Sequence, residues 1–250
     1  MRIATFGSCM SWNIGLTYRK LFGGKVVSAV YHNRSDHFLA CHIDKRITLP
    51  PFKEMLPLLL SEAEEQKEPE ERATQILRNQ YPDGIGLHRL GKLGILFPTA
   101  VKARKIDLLL LDNYIDLAGR MIRCIDGPLA GTQVFLRASD FLPTSGKWEL
   151  GPSLGVDESL ANMGRIVAWV REHSPDTHIA FCCFPHNTYE GKPEWVERAS
   201  SFSSRLDLPG TLTIPALDVP KSMQTKHKQH FEVAFYAALA GIVHQRFEGY

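Results

Sequence analysis

The chain has no long hydrophobic run. Nothing in its 250 residues reaches the length of a membrane span, and Leu108 to Leu111 sits inside a strand-sized segment. It has no CxxC pair and no HExxH, which removes the usual spacings for a zinc site, so no metal ligands are assigned. No GxGxxG follows the first strand and no Walker A lysine pattern is present; Gly84-Ile85-Gly86 falls within an insertion. A nucleotide-dependent transferase on a generic doubly wound fold therefore lacks support. Strong charge of one sign is also missing: 29 Lys and Arg against 27 Asp and Glu leave a formal +2, too little to imply a nucleic-acid partner. Cysteine is sparse and odd in number, at Cys9, Cys41, Cys124, Cys182 and Cys183. An odd count with an adjacent pair in a predicted strand fits reduced thiols better than a disulfide framework. No charged n-region and apolar h-region precede the first strand, which predicts no signal peptide and a cytoplasmic location. There is no internal repeat and no low-complexity tract.

What is present is a core-forming α/β pattern. A hydrophobic content of 44% suffices for one large domain over residues 1–250, with insertions at about 61–104 and 117–158. Five short apolar segments read as buried parallel strands: Arg2 to Phe6, Lys25 to Tyr31, Ile106 to Asp112, His178 to Phe184 and Thr211 to Ile214. Helical patterns lie between them at Ser11 to Phe22, Pro51 to Gln66, Ser159 to His173, Pro193 to Leu206 and His230 to Phe247. The alternation predicts a three-layer α/β/α sandwich around a doubly wound parallel sheet of about five strands. The first insertion opens with the charged run EAEEQKEPEERA. The second is rich in Pro and Gly, and both read as helices and loops near the substrate side.

The first fifteen residues, MRIATFGSCMSWNIG, carry the most chemistry. Gly7-Ser8-Cys9 makes a tight turn from the first strand into a helix, with Gly7 permitting the sharp backbone. A nucleophile at the carboxyl end of a strand, facing a helix N-terminus, meets N–H donors that can hold an oxyanion and lower a thiol pKa.

Four blocks, in this order, resemble the SGNH/GDSL hydrolase superfamily, which has a flavodoxin-like α/β/α fold. The first is Phe6-Gly7-Ser8-Cys9-Met10. It is similar to the divergent GSC-motif group associated with bacterial polysaccharide biosynthesis. An ungapped match to FGDSL places Cys9 on the family serine; a shift of one residue would make Ser8 the nucleophile. The second is His32-Asn33-Arg34-Ser35-Asp36, where the family usually has a Gly and this chain has none. Arg34 or the Ser35 backbone could replace that oxyanion donor, and Arg34 could bind an anionic substrate group bidentately. The third is Asp112-Asn113-Tyr114-Ile115-Asp116. Here Asn113 matches the oxyanion Asn, and Asp112 could orient a catalytic His. The fourth is His227-Lys228-Gln229-His230-Phe231, similar to DxxH before the last helix. His230 takes the place of the general base, and His227 replaces the family Asp. A His cannot hold an imidazolium by charge, so the acid comes from elsewhere (Asp218, Asp112 and Asp36 are candidates) or the site works as a dyad. His186 and Asn187, in the Phe184-Pro185-His186-Asn187 segment after the fourth strand, are candidate substrate contacts.

The resemblance implies an esterase or O-acyltransferase acting on a carbohydrate or acyl-thioester. Ser8 or Cys9 would attack, His230 would move the proton, and the N–H groups of Gly7 to Met10 with Asn113 would hold the oxyanion. No cofactor is required, and acyl-CoA is a candidate co-substrate. The implied partner is a small-molecule or glycan ester. The alternative is a catalytically degenerate module that binds a phosphorylated ligand, such as a nucleotide-sugar or coenzyme A, through Lys221 to Lys228 and Arg34.

Overall fold

A computed structural model describes residues 1–61, 70–136, 146–189 and 191–248. In chain order the elements are β1 (Arg2–Gly7), α1 (Cys9–Phe22), β2 (Lys25–Tyr31), α2 (Ser35–Phe38), α3 (Phe52–Ser61), α4 (Glu70–Arg78), α5 (Phe97–Lys102) and β3 (Leu108–Asp112). There follow α6 (Tyr114–Ala118), β4 (Arg120–Cys124), β5 (Gln133–Phe135), β6 (Trp148–Ser153), α7 (Val156–His173), β7 (His178–Cys182), α8 (Pro193–Arg205), β8 (Leu212–Ile214) and α9 (Val233–Glu248). A π-helical turn, Leu39–Ile43, continues α2.

The main sheet has the order β2-β1-β3-β7-β8, and every pairing is parallel. Its apolar runs are continuous because both faces are covered. Ile3, Leu108, Leu110, Ala180 and Cys182 face the layer that holds α1 and α9. Ala4, Phe6, Leu109, Leu111, Ile179, Phe181 and Cys183 face the layer of α5, α7 and α8. The strand period of two thus sends neighbouring residues to opposite sides. It also sends the adjacent Cys182 and Cys183 into different layers, and all five cysteines are free. This is the expected α/β/α arrangement. Strand order reverses between β1 and β3, and that reversal opens a crevice at the carboxyl ends of the strands.

The 117–158 segment differs from the expected helices and loops. Beyond the short α6 it forms an antiparallel sheet, β5-β4-β6. Its strands are three to six residues long. Over so few residues the alternation of buried and exposed positions is too short to read. The sheet is stabilised by a separate core, in which Met121, Ile122, Val134, Phe135 and Trp148 meet Met55 of α3 with Ile76 and Leu77 of α4. The charged run after Ser61 falls largely outside the described residues, as does the end of the Pro51 to Gln66 helix; α3 stops at Ser61. Among the described residues no helix is long and apolar enough to cross a membrane.

Candidate active site

The β1–α1 turn is organised by one buried carboxylate. Asp112, at the end of β3, accepts the Ser8 N–H at 2.7 Å and the Ser11 N–H at 2.9 Å through Oδ2. Its Oδ1 accepts the Tyr114 N–H at 3.0 Å. Gly7 adopts φ +144°, and a Cβ there would lie 2.5 Å from Asp112 Oδ2. Glycine is required both by the backbone and by the approach of the carboxylate. Ser8 is the N-cap of α1, its Oγ accepting the Met10 N–H at 3.0 Å. Cys9 is therefore the first residue of the helix.

This arrangement revises two expectations. Asp112 spends both carboxylate oxygens on backbone N–H groups, three in all, and so joins two crossovers. The N–H groups of Ser8 and Met10 are also engaged, with Asp112 and Ser8 Oγ respectively, so they are not oxyanion donors. At the same strand end, Asn113 accepts the Phe184 N–H at 2.8 Å through Oδ1. That bond fixes the amide. The buried Nδ2 has no partner among the described residues.

The second block is structural in its polar groups. The Arg34 guanidinium makes a bidentate pair with Asp36, at 2.8 and 2.7 Å, and donates to the Pro152 carbonyl at 3.0 Å. Both Arg34 and Asp36 are thereby committed. The Ser35 N–H and hydroxyl both go to Asp116, at 2.8 and 2.6 Å, and Ser159 adds its hydroxyl at 2.6 Å. Neither Arg34 nor the Ser35 backbone is left to serve an oxyanion. Burial pushes the Asp116 carboxyl up to about 6, against the pull of the Ser159 and Ser35 hydrogen bonds. His32 takes the left-handed backbone, φ 54°, that glycine favours, and its N–H donates to the Gly7 carbonyl at 2.9 Å.

The fourth block lies against the first. Cys9 Sγ donates to the Gln229 carbonyl at 3.6 Å, across 220 residues of sequence. The segment carrying Gln229 is closed on itself. Gln224 bridges Phe231, and the Thr225 hydroxyl donates to the carbonyls of His227 and His230 at 3.1 and 3.0 Å. The Phe231 N–H donates to Tyr236 Oη at 3.1 Å, tying the segment to the first turn of α9. The His227 and His230 rings are 5.6 Å apart, edge to face. α9 begins at Val233, so His230 stands just before the helix rather than at its start.

The Asn187 side chain is tied to its own chain. Its amide clamps Val219 from both sides, Nδ2 donating to the carbonyl at 3.0 Å and Oδ1 accepting the N–H at 3.1 Å. Thr188 donates to the Lys228 carbonyl at 2.9 Å, so the loops after β7 and before α9 form one rim. His186 lies on this rim with Nδ1 buried. Asp218, the third candidate acid, is exposed.

Beside the turn runs a cleft of about 480 Å³ that the sequence did not reveal. His32, Tyr114, Tyr189, Trp195, Lys228 and Gln229 are among its lining residues. The Tyr189 and Trp195 rings stack at 4.1 Å, and Tyr114 Oη meets Tyr189 Oη at 3.0 Å. Tyr114 opens α6, Tyr189 follows β7 and Trp195 lies in the first turn of α8, and nothing in their local sequence groups them.

No protein-family model and no curated protein matches the chain. Among solved structures it is similar to a carbohydrate esterase family 2 enzyme of Corynascus thermopiles (Myceliophthora fergusii), at 11% identity and TM-score 0.43, covering 100% of this chain and 67% of that one. A family two carbohydrate esterase of Clostridium thermocellum gives 12% identity and TM-score 0.43, with 99% and 64% covered. An acetyl xylan esterase of Butyrivibrio proteoclasticus gives 9% and 0.43, also with 99% and 64% covered. The chain thus spans about two-thirds of the length of these proteins or slightly less.

Proposed function

We propose that the chain cleaves acyl esters or thioesters by nucleophilic catalysis at Cys9, in the manner of the SGNH hydrolases that its four blocks resemble. One observation carries the reading. The β1–α1 turn and the segment before α9, which hold the nucleophile and base positions, meet at the contact between Cys9 Sγ and Gln229. Chemistry placed at the β1/β3 reversal is also where an open α/β sheet binds its ligands.

In the reaction, His230 takes the Cys9 thiol proton as Sγ attacks the acyl carbon. The carbonyl oxygen becomes an oxyanion, held by the Asn113 amide Nδ2 and the Cys9 N–H at the head of α1. Collapse breaks the bond to the leaving oxygen or sulfur, which receives the proton from His230. Water, or a hydroxyl acceptor in the case of transfer, then attacks the acyl-Cys9 thioester with His230 as base and restores the thiol. Ser8 acts as the helix cap instead of the nucleophile. The reading extends to a carbohydrate ester as substrate and to acyl-CoA as acyl donor in the transfer case.

The test is hydrolysis of short-chain chromogenic esters and thioesters by Cys9→Ala, Ser8→Ala and His230→Ala, with iodoacetamide labelling read by peptide mass spectrometry. Cys9→Ala and His230→Ala should each lower kcat by about 100-fold or more. Ser8→Ala should keep most activity and lose about 1 kcal/mol of stability with its cap. Full activity in Cys9→Ala would overturn the assignment.

A further inference from the structure

The cleft beside Cys9 has an unbalanced charge. Arg120, Lys192, Arg198 and Lys228 line it, and no Asp or Glu is among its described lining residues. Arg120 donates to the carbonyls of Gly151 and Leu150, at 2.7 and 3.3 Å. Arg198 donates to the carbonyls of Leu117 and Leu154, at 2.7 and 2.6 Å. Carbonyls orient a guanidinium without neutralising it. Among the described residues none of the four cations makes a side-chain ion pair, while Arg2, Arg34, Arg78, Arg123, Arg165 and Arg205 do. Asp116, the carboxyl whose charge acts on Arg198, is buried and held by Ser35 and Ser159. A concave, partly apolar wall lined by one sign of charge concentrates its field on whatever enters.

Aromatic rings share the lining with these cations. Tyr189, Trp195 and Tyr114 present flat rings, and Lys228 Nζ stands 5.7 Å from the Tyr189 ring centre. Flat rings suit the C–H face of a sugar-sized body, and the cations suit an anionic group attached to it. Gln229 lines this cleft and also touches Cys9. Gln229 thus joins the cleft to the proposed nucleophile.

We infer that the cleft selects a sugar-sized ester bearing a phosphate or carboxylate, with the anion held by Lys192 and Lys228 and drawn inward by Arg120 and Arg198. That this molecule is the substrate rests on the function proposed above; that an anion binds there does not. The test is therefore binding, measured by titration calorimetry on Cys9→Ala protein, so that turnover plays no part. Glucose 6-phosphate, glucuronate and methyl glucoside are compared at low and high salt. At least one anionic sugar should bind tenfold or more tightly than methyl glucoside, and the better of the two identifies the anion. The advantage should shrink with salt. It should fall below threefold in Lys192→Gln/Lys228→Gln, whose exposed positions leave the fold intact. Equal binding of all three sugars, or an advantage unchanged in the double variant, would overturn the inference. Loss of ester cleavage elsewhere would count only against the function.

Discussion

A methyl group on residue 7 would meet the carboxylate that holds the whole β1–α1 turn. Gly7→Ala combines a positive φ with a Cβ 2.5 Å from Asp112 Oδ2. It should cost at least about 2 kcal/mol, lowering Tm by about 5 °C or more in a thermal melt. An unchanged Tm would mean the turn can relax, and the Asp112 hub would lose its importance. The turn at Gly7 and the strand-end positions of Cys9 and Asn113 were legible at this scale because they follow from a local pattern, a strand ending in a turn. The tasks of Asp112 and Arg34 were not. A buried Asp at a strand end reads equally as a catalytic orienter or as an acceptor for N–H groups. What decides it is Ser8, 104 residues away. Arg34 likewise reads as a substrate ligand until its partners Asp36 and Pro152 are seen together.

Between elements, the site depends on loops that hold one another. Asn187 clamps Val219, Thr188 holds Lys228, and Tyr236 holds Phe231, so three contacts fix the segment that carries His227 and His230. Asn187→Ala removes two hydrogen bonds to one residue, Val219, and leaves its N–H and carbonyl without that partner. The expected loss is about 1 to 3 kcal/mol. Amide exchange at Val219 should accelerate at least tenfold, and kcat should fall through misplacement of His230 while the Cys9 turn is unaffected. Unchanged exchange at Val219 would show the clamp to be redundant. The main-sheet strands and the long helices were readable as elements because continuous apolar runs and a sustained helical period persist over many residues. The antiparallel sheet of β4, β5 and β6 was not, since its short strands gain their burial from α3 and from α4 of the other insertion, both distant in sequence. The loop clamp has no periodicity at all.

Across the whole molecule, burial shifts three acid-titrating groups among the described residues, His37, His42 and Asp116, and they act in opposite directions. Burial holds His37 and His42 down at about 4, with His37 also repelling charge on His42. An unfolded histidine titrates near 6.5. Between those values the unfolded chain takes up protons that the folded chain refuses, so folding weakens as pH falls. Asp116 behaves inversely: its folded value of about 6 exceeds the ordinary 3.8, so the folded chain holds a proton that the unfolded chain has released. Its contribution is complete below pH 3.8 and disappears as pH rises through 6. Two histidines outweigh one carboxyl, and urea midpoints should decline from pH 6.5 towards pH 4. Each histidine contributes on the order of 3 kcal/mol across that window. His37→Gln should flatten the decline, both by removing one titration and by relieving His42. Asp116→Asn should steepen it, because the opposing contribution is gone, while raising stability relative to wild type above pH 6. If the variants run parallel to wild type from pH 4 to 7, these groups do not govern the acid limb. The decline would then originate in the exposed ion pairs, and salt would move it.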